Sequence, residues 1–279
     1  MMKYNIPGIK ESPSTSYSVK SGSTKTEEKI AVEEPREISI KSKGGVPKRI
    51  AVVMRTPLMD NFLAVGFLFS EGLISSGSDV LGFEGTDDRG TARSNSLTVL
   101  LADSVHSIDS KDTRNFFVNS SCGICGKSNI SEIYSRIGKV QRSKVRIKSR
   151  VLLELPEIMR IKQHVFQETG GIHAAALFNS SGDLIVVAED IGRHNAVDKL
   201  AGYVLMNRIN CNDLVLQVSG RAGYEIIQKA AISGIPVVSS VSAPSSLAVE
   251  ASESMGMTLV CFVRNDRFTV YSHPERIIF

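Results

Sequence analysis

Between residues 158 and 263 short apolar runs alternate with amphipathic stretches, and few folds accept that alternation. Residues 158–167 place apolar side chains at helical spacing and stop at Gly170 and Gly171. Strands follow at 173–178 and 184–189, joined through Ser181, Gly182 and Asp183. Next come a helix at 195–206, a strand at 214–218 and a helix at 223–232 closed by Gly234 and Pro236. A strand at 236–241, a helix at 246–255 closed by Gly256 and a strand at 258–263 complete the series. The strand-like runs are Val, Leu and Ile with little polar interruption, the pattern of strands buried on both faces. The sequence therefore predicts an α/β fold whose sheet is largely parallel after its first hairpin and covered by helices on both sides.

The first half reads differently. Residues 37–41 alternate apolar and polar, turn at Lys43, Gly44 and Gly45, and resume at 49–54, which predicts a hairpin. Thr56 and Pro57 supply an N-cap and a first-turn proline for an apolar helix through Leu63, Val65, Phe67 and Leu68 to Gly72. After a polar stretch at 75–95, strands are expected at 97–102 and 114–119, and Asn129 to Glu132 has the form of a helix start. From Arg142 to Arg150 every second residue is basic, so one extended strand would carry five positive side chains on one face and Val145 and Ile147 on the other. Such a strand is either an edge guarded by charge or a positive ridge that draws an acidic partner or an anionic cofactor. Residues 30–150 thus read as a small α+β domain and 151–279 as the α/β domain. Residues 1–29, rich in Ser, Thr and Lys without apolar periodicity, are expected to form a disordered tail.

Composition narrows the function. A net charge of +4 is too small to argue for nucleic acid. The first residues lack an apolar core of signal-peptide length, and the longest apolar run, 62–69, is too short to span a bilayer. A cytoplasmic protein with no membrane segment is expected, and a reducing compartment suits four cysteines that suggest no disulfide framework.

Ligands of such sheets gather at the carboxyl ends of parallel strands. The junctions there are small and polar: Glu189 to Asn195, Ser219-Gly-Arg-Ala-Gly223, and Ser242 to Ser246. Each offers hydroxyls or bare backbone N–H groups at a helix start, and Arg193 and Arg221 add planar donors for phosphate or nucleobase oxygens. No Walker or Rossmann glycine fingerprint is present. His194 and His173 each fit an acid/base, a ligand contact or a purely structural role.

The chemistry is expected at Ser120-Ser-Cys-Gly-Ile-Cys-Gly-Lys127, a Cys-x-x-Cys flanked by glycines that leave both sulfurs approachable. Structural zinc needs further ligands, and Cys211 and Cys261 stand alone in apolar runs. A dithiol oxidoreductase places the motif after a strand and at the start of a long helix, whereas here the following helical stretch is short. A sulfur carrier needs a nucleophilic thiolate with a second cysteine near enough to resolve or relay. An incidental pair in a surface turn is the remaining possibility.

Several multi-residue blocks, in order, resemble the formate dehydrogenase accessory sulfurtransferase family, FdhD/NarQ. They are the Cys122 loop, Thr169-Gly-Gly-Ile-His-Ala-Ala-Ala-Leu-Phe178, Glu189-Asp-Ile-Gly-Arg-His-Asn-Ala-Val-Asp-Lys199, Ser219-Gly-Arg-Ala222, Val241 to Glu250 and Tyr271-Ser-His-Pro-Glu-Arg276, with Glu33-Glu-Pro35 and Met54-Arg-Thr-Pro57. The resemblance implies a sulfur carrier that takes sulfur from a cysteine desulfurase and passes it to molybdenum bis(molybdopterin guanine dinucleotide), needed by the target formate dehydrogenase. Cys122 matches the persulfide-bearing cysteine and Cys125 its partner. The family's cofactor-binding stretch falls on Phe262, Val263, Arg264, Asn265, Asp266 and Arg267, beside Ser219, Arg221 and His194 at the strand ends. A cytidine-deaminase-like three-layer α/β/α domain behind a smaller α+β domain, and a homodimer, are also implied. Zinc deaminase chemistry is not, because His194-Asn-Ala196 lacks the His-x-Glu acid and Pro244-Ser-Ser246 lacks the Pro-Cys-x-x-Cys ligands. Two readings from other classes remain: a thiol-disulfide oxidoreductase using Cys122 and Cys125, and a non-catalytic chaperone of the molybdenum cofactor.

Overall fold

A computed structural model describes residues 7–85, 95–103, 105, 116–117 and 143–279. Strands β1 (Ile9–Ser18) and β2 (Gly22–Ala31) form an antiparallel hairpin in continuous register, so from Ile9 onward the tail expected to be disordered over 1–29 is a hairpin instead. The hairpin is a separate two-stranded sheet with most of both faces exposed, so nothing selects an alternation of apolar residues that the sequence could display. A lone hairpin is marginal in water, and this one is held at its base. The Val32 N–H donates to the Gly8 carbonyl at 2.9 Å, and Lys29 pairs with Glu168.

Strands β3 (Glu34–Ser42) and β4 (Lys48–Arg55) form the expected hairpin. With β5 (Val80–Glu84), β6 (Ser96–Leu101) and β7 (Phe116–Phe117) they make a sheet ordered β5-β6-β3-β4-β7. Strand β5 falls in the stretch read as polar; it is a short edge strand whose Gly82 and exposed Leu81 blur the period-2 signal. Helix α1 (Asp60–Ser70) buries Leu63, Val65, Phe67 and Leu68 with Ile38, Ile50, Leu97 and Val99 of the sheet. It starts later than expected. Met59, in the left-handed region at φ 57°, precedes the first turn, and Thr56 is no cap. The Thr56 hydroxyl donates to Val32 O at 2.9 Å and accepts from the Ile191 N–H at 3.2 Å, while its N–H donates to Asp190 Oδ2 at 3.2 Å.

The second half opens with β8 (Ile147–Lys148), α2 (Ser149–Ile161) and α3 (His164–Thr169). The five-residue basic face is not formed: Arg150 already lies in α2, and Arg142 is outside the described residues. Val145 and Ile147 are buried in the core of the second sheet. The helix expected at 158–167 is two helices, because Glu189 turns its carboxylate onto a new helix start, accepting from Val165 N–H at 3.0 Å and Phe166 N–H at 2.8 Å.

The alternation then runs as β9 (His173–Asn179), β10 (Leu184–Asp190), α4 (Arg193–Met206), β11 (Leu214–Val218), α5 (Tyr224–Ile232), β12 (Val237–Ser240), α6 (Ser246–Met255), β13 (Thr258–Arg264) and β14 (Arg267–Ser272). The sheet is ordered β10-β9-β11-β12-β13-β14, with β11, β12 and β13 parallel and the outer pairs antiparallel. Leu214, Leu216 and Val218 face α4, α5 and α6, whereas Val215 faces Leu152, Leu155 and Met159 of α2. Helices thus cover both faces, as period-2 burial of apolar runs requires. The final strand, β15 (Ile277–Ile278), pairs with β8.

The halves meet at α1 and α4, which approach until backbone touches backbone. A Cβ on Gly66 would lie 1.8 Å from Asp198 O, and one on Gly202 2.0 Å from Phe62 O, so only glycine allows the crossing. Polar bolts flank it. The buried Lys199 ammonium sits 2.6 Å from Asp190 Oδ2 and donates to Thr56 O and Glu189 O, and Ser70 Oγ donates to Asp198 at 2.9 Å.

Candidate functional site

The carboxyl ends of β11, β12 and β13 open onto a cavity of about 1010 Å³. Ser219, Val241 and Arg264 line it from those three strand ends, and His173 joins them because β9 runs antiparallel to β11. Ser219 fixes that corner: its hydroxyl accepts from the Ala174 N–H at 2.8 Å and its own N–H donates to Ala174 O at 2.9 Å. Gly170 and Gly171 also line it, and Glu154, Glu157 and Arg160 of α2 form a helical wall. The volume reaches the upper end of ordinary ligand pockets, roughly 300–1,000 Å³, and suits a large ligand.

The end of β13 is built by one irregularity. Cys261 points to the α4–α6 side, so strict alternation would send Phe262 into the core on the α2 side. Instead Phe262 adopts φ 55°, the residue is 38 % exposed, and Val263 takes the core position. A left-handed aromatic residue is uncommon and marks a place worth reading for function. The bulge delivers Arg264 to the cavity rim, where its Nε donates to Val241 O at 3.0 Å. Asn265, also left-handed at φ 49°, closes the turn into β14.

The residues read as cofactor-binding divide among three places. Ser219, Val263, Arg264 and Asn265 line the large cavity; Phe262, Arg264 and Arg267 line a smaller cleft of about 290 Å³ with Phe268 and Thr269. Arg221, Asp266 and His194 line neither. Arg221 and Asp266 are exposed, and His194 Nε2 lies 2.5 Å from Glu225 Oε2 across the start of α5. His173 borders the cavity: burial first, then the positive charge of Arg193, pushes its pKa below the ordinary histidine value. Gly220 lets the ring close onto the backbone, since a Cβ there would meet His173 Nδ1 at 3.2 Å.

The wall formed by Glu154, Glu157 and Arg160 was not singled out by sequence reasoning. Its only signal is the i,i+3 spacing of 157 and 160 on an amphipathic helix, which does not say which surface the polar side meets. Arg160 donates to Glu157 through Nε at 2.8 Å and Nη2 at 2.7 Å.

Cys122 and Cys125 lie outside the described residues, as does the helix start at Asn129. The two described cysteines are unsuited to nucleophilic work: burial pushes the Cys211 thiol up to about 11 and the Cys261 thiol up to about 12. Among the described residues no cluster of three His, Cys, Asp or Glu forms a metal site, and no helix is long and apolar enough to cross a membrane.

Against this geometry the comparisons with known proteins are direct. The model of the FdhD/NarQ family matches residues 31–278. The chain belongs to the FdhD/NarQ family. It is 52 % identical over 257 residues to the sulfur carrier protein FdhD of Thermoplasma volcanium, covering 92 % of each chain. To the sulfur carrier protein FdhD of Sulfolobus acidocaldarius it is 44 % identical over 253 residues, covering 90 % of this chain and 92 % of that one. The fold is similar to that of a Desulfotalea psychrophila protein described as a formate dehydrogenase accessory protein, with TM-score 0.75, 24 % identity, and coverage of 98 % of this chain and 100 % of that one. Among the described residues, two groups drawn from the blocks that carry the FdhD/NarQ resemblance stand together on the structure. One borders the cavity, with Gly170, Gly171, His173 and Ser219. The other, with Asp190, Asn195, Asp198 and Lys199, binds the two halves together.

Proposed function

We propose that this chain is a sulfurtransferase that takes persulfide sulfur from a cysteine desulfurase onto Cys122 and passes it to molybdenum bis(molybdopterin guanine dinucleotide), the substrate destined for a formate dehydrogenase. The observation that carries the reading is the cavity of about 1010 Å³ at the carboxyl edge of the sheet, in a chain whose FdhD relatives are named sulfur carriers. In the loading step the Cys122 thiolate attacks the outer sulfur of the donor persulfide; a new S–S bond forms, the donor's S–S bond breaks, and the donor cysteine leaves as thiolate. Cys125 protects or relays the bound sulfur. The described thiols do not compete, since Cys211 and Cys261 are buried and protonated at neutral pH. The guanine-containing, anionic substrate is assigned to the strand ends, with Arg264 at its phosphates and Phe262 offering an aromatic face.

The antiparallel pair β9–β10 feeding three parallel strands between two helical layers supports reading the second half as a cytidine-deaminase-like fold. A homodimer working in the cytoplasm completes the proposal, on the strength of the family resemblance.

The test is intact-protein mass spectrometry after incubation with a cysteine desulfurase and cysteine. A gain of ~32 Da on the unsubstituted chain, reversed by thiol and absent from Cys122→Ala, is expected for a persulfide. No gain, together with a ~2 Da loss on mild oxidation, assigns the pair to disulfide chemistry instead.

A further inference from the structure

The α2 wall of the cavity is an unfavourable place for an anion. Glu154 and Glu157 are both on it, and Arg160 stands in the last turn of α2, where the helix dipole presents its negative end. The single positive group on this wall, Arg160, is tied to Glu157 by the two-point pair described above. The other charged or titratable groups that line the cavity are Arg264, at the end of β13, and His173, whose pKa burial holds below the ordinary histidine value. Yet the pair is weakly held. Its side chains are 60 % and 57 % exposed, and water screens an exposed pair of this kind so that it contributes little. A phosphate presents two oxygens to the planar guanidinium fork, as a carboxylate does, and carries more charge, so it competes effectively for the guanidinium.

We infer that Arg160 is a phosphate clamp of this cavity, held in reserve by Glu157 until a phosphate-bearing ligand displaces the carboxylate. The inference rests on the proposed reading that a guanine-containing diphosphate ligand occupies the cavity, and it adds a specificity-determining residue on the helical wall to those at the strand ends. While the pair is closed the wall stays negative and turns away small anions that cannot also engage Arg264. When the ligand's phosphate takes the Arg160 fork, Glu157 is left to solvent, where a carboxylate is well hydrated.

Calorimetric titration of the full chain with GDP, inorganic pyrophosphate and guanosine tests this. Glu157→Gln releases the fork and is expected to tighten GDP and pyrophosphate about threefold, the scale of an exposed ion pair. Arg160→Gln is expected to weaken both by about tenfold, the scale of charge-assisted hydrogen bonds to phosphate. The double variant should match Arg160→Gln alone, and guanosine should bind all four proteins alike. If GDP binds the unsubstituted chain but Glu157→Gln and Arg160→Gln bind it equally well, the clamp is wrong and the guanine reading survives. If pyrophosphate follows the expected pattern while GDP binds no better than pyrophosphate, the clamp stands and the guanine reading fails. Binding of neither ligand overturns both. Both substitutions sit on an exposed helix face, where loss of folding is not expected.

Discussion

At the scale of single residues, one of the blocks that carry the FdhD/NarQ resemblance is structural joinery. In Tyr271 to Arg276, the Ser272 hydroxyl donates within a buried network to Met257 O at 2.8 Å, and Arg276 Nη1 reaches Thr258 Oγ1 at 3.1 Å. His273 is the titrating member. Its Nδ1 lies 2.9 Å from Glu275 Oε1 and its Nε2 3.0 Å from Glu253 O, two acceptors that are both satisfied only by the imidazolium. Burial, the largest single influence, pulls its pKa down, but the Glu253 carbonyl and Glu275 together outweigh it and hold the value above the ordinary one. A base whose folded pKa is raised contributes stability in full below its unfolded pKa of ~6.5 and loses it as pH rises through the folded value. Replacing His273 by Asn, which tolerates the φ of 47° at this site, should therefore lower Tm by about 2 °C near pH 6 and by much less near pH 9. Thermal scans of both proteins across that range decide it; a gap that widens with pH would mean the imidazole is neutral in the native state.

At the scale of elements, the structure separates what periodicity can reveal from what it cannot. The sequence reads β11 and α6 at their observed bounds, because Val and Leu runs bounded by glycine or a capping Ser245 are set by local chemistry and two-sided burial. It misreads Thr56 as a helix cap, because the side chain is recruited by Val32 and Ile191 from distant parts of the chain. It misses β1 and β2, whose two solvated faces leave no pattern. Gly66 and Gly202 are a further case, ordinary weak points of a helix by propensity and in fact the contact that sets how α1 crosses α4. Gly202→Ala should gain about 1 kcal/mol of helix propensity and still lose about 4 kcal/mol or more, since the new methyl meets a backbone carbonyl that cannot step aside. Gly223→Ala is the control: a Cβ there meets nothing within 4 Å, and the change should cost about 1 kcal/mol or less as a modest capping loss. Urea unfolding of the two variants gives the comparison, and equal midpoints would show that the helices can separate without penalty.

At the scale of the whole molecule, the large cavity lies where three features legible in the sequence converge: parallel strand ends, small polar junctions and the stretch from Phe262 to Arg267. The alternation of strands and helices fixes the edge, but the left-handed turn at Phe262 decides which side chain reaches it, and that turn has no local signature. The consequence is a contrast between two arginines that look alike in the sequence. Arg264 borders both the large cavity and the small cleft, and its bond to Val241 O holds the guanidinium at their junction. Arg221 is exposed at the β11 to α5 junction and borders neither. If the proposed ligand spans the two clefts, Arg264→Gln should weaken GDP binding about tenfold by removing charge-assisted contacts to phosphate, whereas Arg221→Gln should leave affinity within about twofold. Calorimetry on the two variants reads this directly. The opposite ranking would move the ligand off the β13 bulge and onto the β11 to α5 junction, where the Ser219-Gly-Arg-Ala block would bind it and the strain at Phe262 would need another purpose.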